Sequence, residues 1–337
     1  MRQSYFAIAI TAIAISTGAC AQTTYQAPKI IDRISIPDGG WDYAYRDNDR
    51  NRLYVARSNG VMALAGEPAV VTATFAPGER VHGVITLPGT NLAVSTNAET
   101  NSAKFFDADN GAVIASVPTG QNPDALVYEP RSGLVAVMNG KSQDVTLIDP
   151  KTQTAIGTIA VGGKLEFSVA NGTGLVFVNI EDRSEIAVVD IAARKVTNRF
   201  KLANCEEPTG IDRDGAFGVL ITACGGGSAL VVDETSGKVV AHFPIGKGAD
   251  AVIFDPSRHL AFIPSGSAGT LATIRIDGKN AASLLGTVPT QTSARTGAMD
   301  FNSGRLYLMA ARYAAAKEGE RPKPVPGSFE LLVLSTK

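Results

Sequence analysis

From residue 41 to the C-terminus the chain is a succession of short apolar runs, each closed by a cluster of Gly, Pro, Asn or Asp. Runs rich in Val, Ile, Leu and Ala with such boundaries predict β-strands. No apolar stripe at helical spacing lasts long enough to supply crossover helices. The pattern also repeats. NPDALVYEPRSGLVAVMNG (Asn122 to Gly140) returns as GADAVIFDPSRHLAFIPSG (Gly248 to Gly266), and a strand ending in Asp recurs at Asp107, Asp149, Asp190, Asp233 and Asp277, 41 to 44 residues apart. Each of these Asp residues precedes a polar turn, where its side chain is expected to accept turn backbone N–H groups, so the set reads as scaffolding.

Four antiparallel strands per forty-odd residues predict a β-propeller blade, because one blade cannot bury both faces whereas a closed ring can. Second strands fall at RLYVA, NLAVS, GLVAV, GLVFV, GVLIT, LAFIP and RLYLM. The predicted fold is therefore all-β: a single seven-bladed propeller. Blades lie at about 41–80, 81–122, 123–164, 165–207, 208–249, 250–294 and 295–337. The last blade lacks a fourth strand, and KIIDRISIPDGG (residues 29–40) is a fourth strand with no blade before it. It is expected to pair with Phe329 to Ser335, closing the ring and removing its edges.

The blade pattern resembles the YVTN-type β-propeller repeat, the YncE-like secreted propellers, with RLYVA (Arg52 to Ala56) nearest the naming motif. GGWDYAY, NCEEPTG, GADAVIFDP and VPGSFELLVL are similar to one bacterial branch of that family. The resemblance spans residues 29 to 337 and implies export and a binding role. Blade 5, with GVLITACGGG, departs from the motif. The Gly-His and Trp-Asp signature of WD40 repeats is absent.

The N-terminus fits export directly. Arg2, the apolar run Ala7 to Ile15 and Ala19-Cys20-Ala21 form the three regions of a signal peptide over residues 1–21, cleaved after Ala21. The competing reading is a lipoprotein anchored through Cys20, with Thr17 in an atypical position. A periplasmic or secreted location follows, and with it an expected Cys205–Cys224 disulfide, a redox or metal pair being the alternative. With 31 Lys+Arg against 32 Asp+Glu, the chain lacks the basic excess of a nucleic-acid protein. No apolar stretch beyond the N-terminus is long enough to span a membrane, and a monomer is expected.

Propeller topology brings the entries to the seven innermost strands together at one mouth of the axial channel: Asp42, His82, Asp124, Glu166, Thr209, Asp250 and Arg295. Trp41 and Glu207 adjoin them, and the loops between strands two and three add Asn97, Asn139 and Asn179, with Glu181 and Asp182. Carboxylates crowded this way need relief. Pairing with Arg295, a bound cation, or a plain hydrated rim each supply it, and oxygen donors suit Ca²⁺ or another divalent ion better than Zn²⁺. Trp41 is either a stacking platform or packing between blades 1 and 7. A long loop in blade 7, Ala311 to Gly327, belongs to the same face and is a lid, a docking arm or a tolerated insertion.

No nucleophile elbow, Walker loop or zinc-protease helix occurs. Quinone-cofactor propellers use repeated tryptophans, and this chain has one. Two function classes stand. The favoured one is a non-catalytic binding protein, without a cofactor, that takes a small molecule or a periplasmic or outer-membrane protein at the mouth. The other is a metal-assisted lactonase or lyase with a divalent ion held there and His82 as general base.

Overall fold

A computed structural model describes residues 1, 25–315 and 322–337. The expected signal peptide, apart from Met1, and the tip of the blade 7 loop lie outside the described residues. The rest forms seven four-stranded antiparallel sheets, six of which run in simple chain order. The seventh is closed as the unpaired N-terminal strand requires. Lys29–Ser35 pairs antiparallel with Glu330–Ser335, which continues through Arg305–Ala310 to Gly297–Asp300. The sole helical element among the described residues is a 3₁₀ turn at Glu181–Arg183, and none of the described helices is long and apolar enough to cross a membrane.

The burial pattern explains why the runs read as they do. Second and third strands are covered on both faces by neighbouring blades, so Leu134–Asn139 and Asp144–Asp149 are almost wholly buried; the outermost strand Thr154–Ala160 is largely exposed and alternates. Apolar residues form seven clusters, one at each blade–blade interface, including the blade 7–blade 1 joint, where Ile36, Trp41, Val55 and Met62 meet Met309, Phe329 and Leu331. The core is thus a ring of equivalent interfaces, and its hydrophobic stabilisation is lost wherever the ring is opened.

The repeated Asp residues behave as turn clamps in four blades. Asp107, Asp149, Asp190 and Asp233 accept backbone N–H groups of the turn that follows, at 2.7–3.1 Å. Asp277 instead bonds the side chains of Arg275 and Ser283.

Candidate functional site

The innermost strands of blades 1, 3, 4 and 5 begin with a bulge. Their register against strand two skips between Trp41 and Ala44, Pro123 and Leu126, Leu165 and Ser168, and Pro208 and Ile211. A bulge breaks the strict alternation of a strand, so two successive residues per blade reach the channel: Asp42–Tyr43, Asp124–Ala125, Glu166–Phe167 and Thr209–Gly210. The equivalent pairs His82–Gly83, Asp250–Ala251 and Arg295–Thr296 lie just ahead of shorter innermost strands. Peptide groups released by these irregularities are captured by side chains of the preceding blade or, at Gly83, of the same blade. Thr96 Oγ accepts from Gly83 N at 2.9 Å and donates to Asp124 O at 2.9 Å. Asn179 Nδ2 donates to Thr209 O and Gly210 O, both at 3.0 Å, and Thr296 Oγ donates to Asp42 O at 2.8 Å. At Gly210 the approach is so close that a Cβ would lie 2.5 Å from Ala251 Cα.

Charged residues gather at this mouth, the cup, around Tyr43 of blade 1 and Phe167 of blade 4, whose ring centroids lie 4.6 Å apart. The charges are matched in neighbouring pairs. His82 Nδ1 is 2.6 Å from Asp42 and 3.4 Å from Asp124. Arg295 Nε donates to Asp250 at 2.7 Å; its other edge lies 4.0 Å from Asp42, and its guanidinium is 6.0 Å from the Trp41 ring centroid. Lys164 sits 3.0 Å from Glu166 and also pairs with Glu181, which the 3₁₀ turn carries in.

Five carboxyl groups therefore share the cup with three cationic side chains, and two of the acids bear the excess. Burial pushes Asp124 up to about 7, with Asp42 and Asp250 adding to the rise and His82 opposing it. Burial likewise lifts Glu166, helped by a hydrogen bond to Glu181 and by the Asp124 charge, well above the usual carboxylate range and against the pull of Lys164. Glu181 is lowered despite its burial, by the pull of Glu166 and Lys164. Asp250 is raised by burial despite Arg295. His82 would be lowered by burial, but the Asp42 hydrogen bond and the Asp124 charge outweigh it and raise it. Burial also raises the Tyr43 phenol, which faces Asp250, Glu166, Asp124 and Asp42.

Of the residues expected at the mouth, Asp42, His82, Asp124, Glu166, Asp250 and Arg295 converge. Others do not. Glu207 is exposed and lies beside the Gly225 hairpin of blade 5. Asn139 is buried and spends its amide on Asp144 at 2.7 Å and Thr146 at 2.9 Å, while Asn179 is the blade-to-blade clamp described above. Trp41 packs edge-on against Phe329, centroids 5.4 Å apart, between blades 1 and 7. Cys205 and Cys224 form a disulfide. Sequence reasoning missed Tyr43, Phe167 and Lys164; each stands within two residues of an expected acid, the one signal available for them.

One oxygen each of Asp42 and Asp124 and one nitrogen of His82 lie within 4.8 Å of one another, a spacing that suits a single ion. His82 Nε2 is buried with no partner among the described residues. With Asn139 and Asn179 turned to structural tasks, the donor set is one imidazole and two carboxylates, which fits a first-row divalent ion better than Ca²⁺.

No family model matches the chain, and no curated protein matches it in sequence. Solved structures match widely, with 1757 chains alike in fold, so the likeness carries architecture and not function. Among them are a chain of Kuenenia stuttgartiensis hydrazine synthase, with a TM-score of 0.71, 12% identity and coverage of 86% of this chain and 97% of that one. A chain of the mitotic checkpoint complex gives a TM-score of 0.74 at 11% identity, covering 98% of each. At that identity the likeness shows one thing: the chain is a seven-bladed β-propeller.

Proposed function

We propose that this chain is an exported, non-catalytic propeller that binds a cationic small molecule, or a cationic group on a partner protein, in the cup. The observation that carries the reading is the excess of carboxyl groups, five beside three cationic side chains. Burial holds Asp124 and Glu166 toward their protonated forms, and an incoming cation would offset the cost of ionising them. The Cys205–Cys224 bridge is compatible with an oxidising compartment. The likeness of RLYVA and its sister strands to YVTN-type repeats points the same way, toward binding outside the cytoplasm.

A second reading rests on the Asp42–His82–Asp124 spacing: a divalent ion there would supply Lewis-acid chemistry for a lactonase or lyase, with those three side chains as its ligands. The test is a thermal-shift and calorimetric screen of mature protein and Asp42→Asn/Asp124→Asn against Ca²⁺, Mn²⁺, Zn²⁺ and small organic amines, with elemental mass spectrometry of the purified protein. Cation-dependent stabilisation that falls at least tenfold in affinity in the variant is expected. Equal stabilisation of both proteins would remove the cup from consideration. A stoichiometric transition ion together with lactone turnover would select the second reading.

A further inference from the structure

Beside the cup, on the same face, lies a cavity of about 430 Å³ between the Asp38–Gly40 turn, Trp41, Arg295 and the base of the blade 7 loop. Its volume is in the range of small-molecule sites. The loop base is ordered as a hairpin: Val325 N donates to Arg312 O at 2.8 Å and Ala314 N to Lys323 O at 2.9 Å. That hairpin sets Tyr313, Pro324 and Pro326 opposite Trp41 and Phe329, giving a wall of rings. Tyr313 stands 45% exposed at the rim, while Trp41 is only 7% exposed and its Nε1–H has no acceptor among the described residues.

Unlike the cup, the cavity is lined by one charge of each sign, Asp38 and Arg295. Arg295 has one edge taken by Asp250 and the other turned toward Asp42 and Trp41. Behind the Asp38–Gly40 turn lies a second guanidinium, Arg57, 3% exposed. Arg57 is held by Pro37 O at 2.7 Å and Gly40 O at 2.8 Å and touches Met62 Sδ, with no carboxylate in ion-pair contact among the described residues. Burial accordingly lowers its pKa, and the more distant Asp38 only opposes this. Asp38 itself is engaged by Gly327 N. Arg295 and the unpartnered indole N–H are the donors this wall offers, one residue away from the Asp42 carboxylate.

We propose that cup and cavity form one bipolar site for a zwitterion with a flat or apolar body. The ammonium group sits on Asp42 and Asp124, the carboxylate takes the Arg295 edge and the Trp41 Nε1–H, and the body fills the space between Trp41, Tyr313 and Phe329. This deepens the proposed function and rests on its cationic pole. Neither pole suffices alone, because the anion engages Arg295 and the cation relieves Asp124.

Three probes that share a phenyl ring separate the poles: L-phenylalanine (both charges), phenethylamine (cation only) and 3-phenylpropionate (anion only), titrated calorimetrically into the mature protein. L-Phenylalanine is expected to bind at least tenfold tighter than either relative. Arg295→Lys, which keeps the charge but loses the planar fork, should bring L-phenylalanine down to the level of phenethylamine, and Asp124→Asn down to that of 3-phenylpropionate. Tyr313→Ala, on the exposed hairpin, should weaken all three and leave melting unchanged. Phenethylamine equal to L-phenylalanine would overturn the anionic half and leave the cup reading standing. So would binding of divalent ions or alkylamines with no response to any phenyl probe. Binding of 3-phenylpropionate alone, insensitive to Asp124→Asn, would overturn both.

Discussion

Replacing Asp124 by Asn should make the empty protein more stable at alkaline pH, an unusual direction for the loss of a buried charged residue. The carboxyl is raised to about 7 in the fold, against 3.8 when unconstrained. A difference of about three units at ~1.36 kcal/mol each gives a ceiling of about 4 kcal/mol. Asn also forfeits the attraction of His82, 3.4 Å away, which brings the expected gain to roughly 1–3 kcal/mol. Because the folded pKa lies above the unfolded one, the wild type is most stable below about pH 4 and loses that stability as pH rises through about 7. The variant, having nothing to ionise there, should lack this part of the slope. At about 2.1 cal/mol/K per residue, the difference amounts to a melting temperature some 2–5 °C above wild type at pH 8, shrinking to nothing near pH 4. The assay is thermal unfolding by circular dichroism across pH 4–9 for both proteins without ligand. Parallel curves, or a variant less stable at pH 8, would refute the account of a strained cup.

Deleting residues 25–40 should destabilise the whole ring. It strips the partner of Glu330–Ser335 and takes Ile30, Ile34 and Ile36 from two interface clusters, at roughly 1 kcal/mol or more for each buried aliphatic side chain; a melt within about a degree of full length would show that closure contributes nothing. Thiol counting on unfolded, unreduced protein lacking residues 1–21 should find none free, and Cys205→Ser/Cys224→Ser should cost about 3 kcal/mol in denaturant unfolding for a separation of 19 residues. An unchanged midpoint would mean that the bridge constrains nothing.

The fold was legible because a propeller writes its period into the chain. Each blade must bury two faces against neighbours, so every forty-odd residues the same apolar strands and the same Asp and Gly turns return. The leftover strand at residues 29–40 could go nowhere except beside the unpaired last strand. The charged ring was legible for a related reason: topology alone brings strand entries to the axis, so Asp42, His82, Asp124, Glu166, Asp250 and Arg295 could be named together although 253 positions separate the first from the last. Strand alternation, applied to the same entries, sends the next residue away from the channel. That rule hides Tyr43 and Phe167, since only a bulge lets both follow the acids inward.

The amides illustrate the converse. Asn139 and Asn179 sit at the ends of second strands, where connectivity points them at the mouth, yet each peptide group freed by a bulge needs a partner of its own. Asn179 answers that need for Thr209 and Gly210, so a residue type suited to ligating an ion is consumed in holding two blades together. What remains uncommitted is then informative. Among the described residues around the cup, His82 Nε2, Trp41 Nε1 and Asn139 Oδ1 are buried without a partner. In a ring built from near-identical units, the departures from the repeat are where a ligand can be told apart from scaffolding.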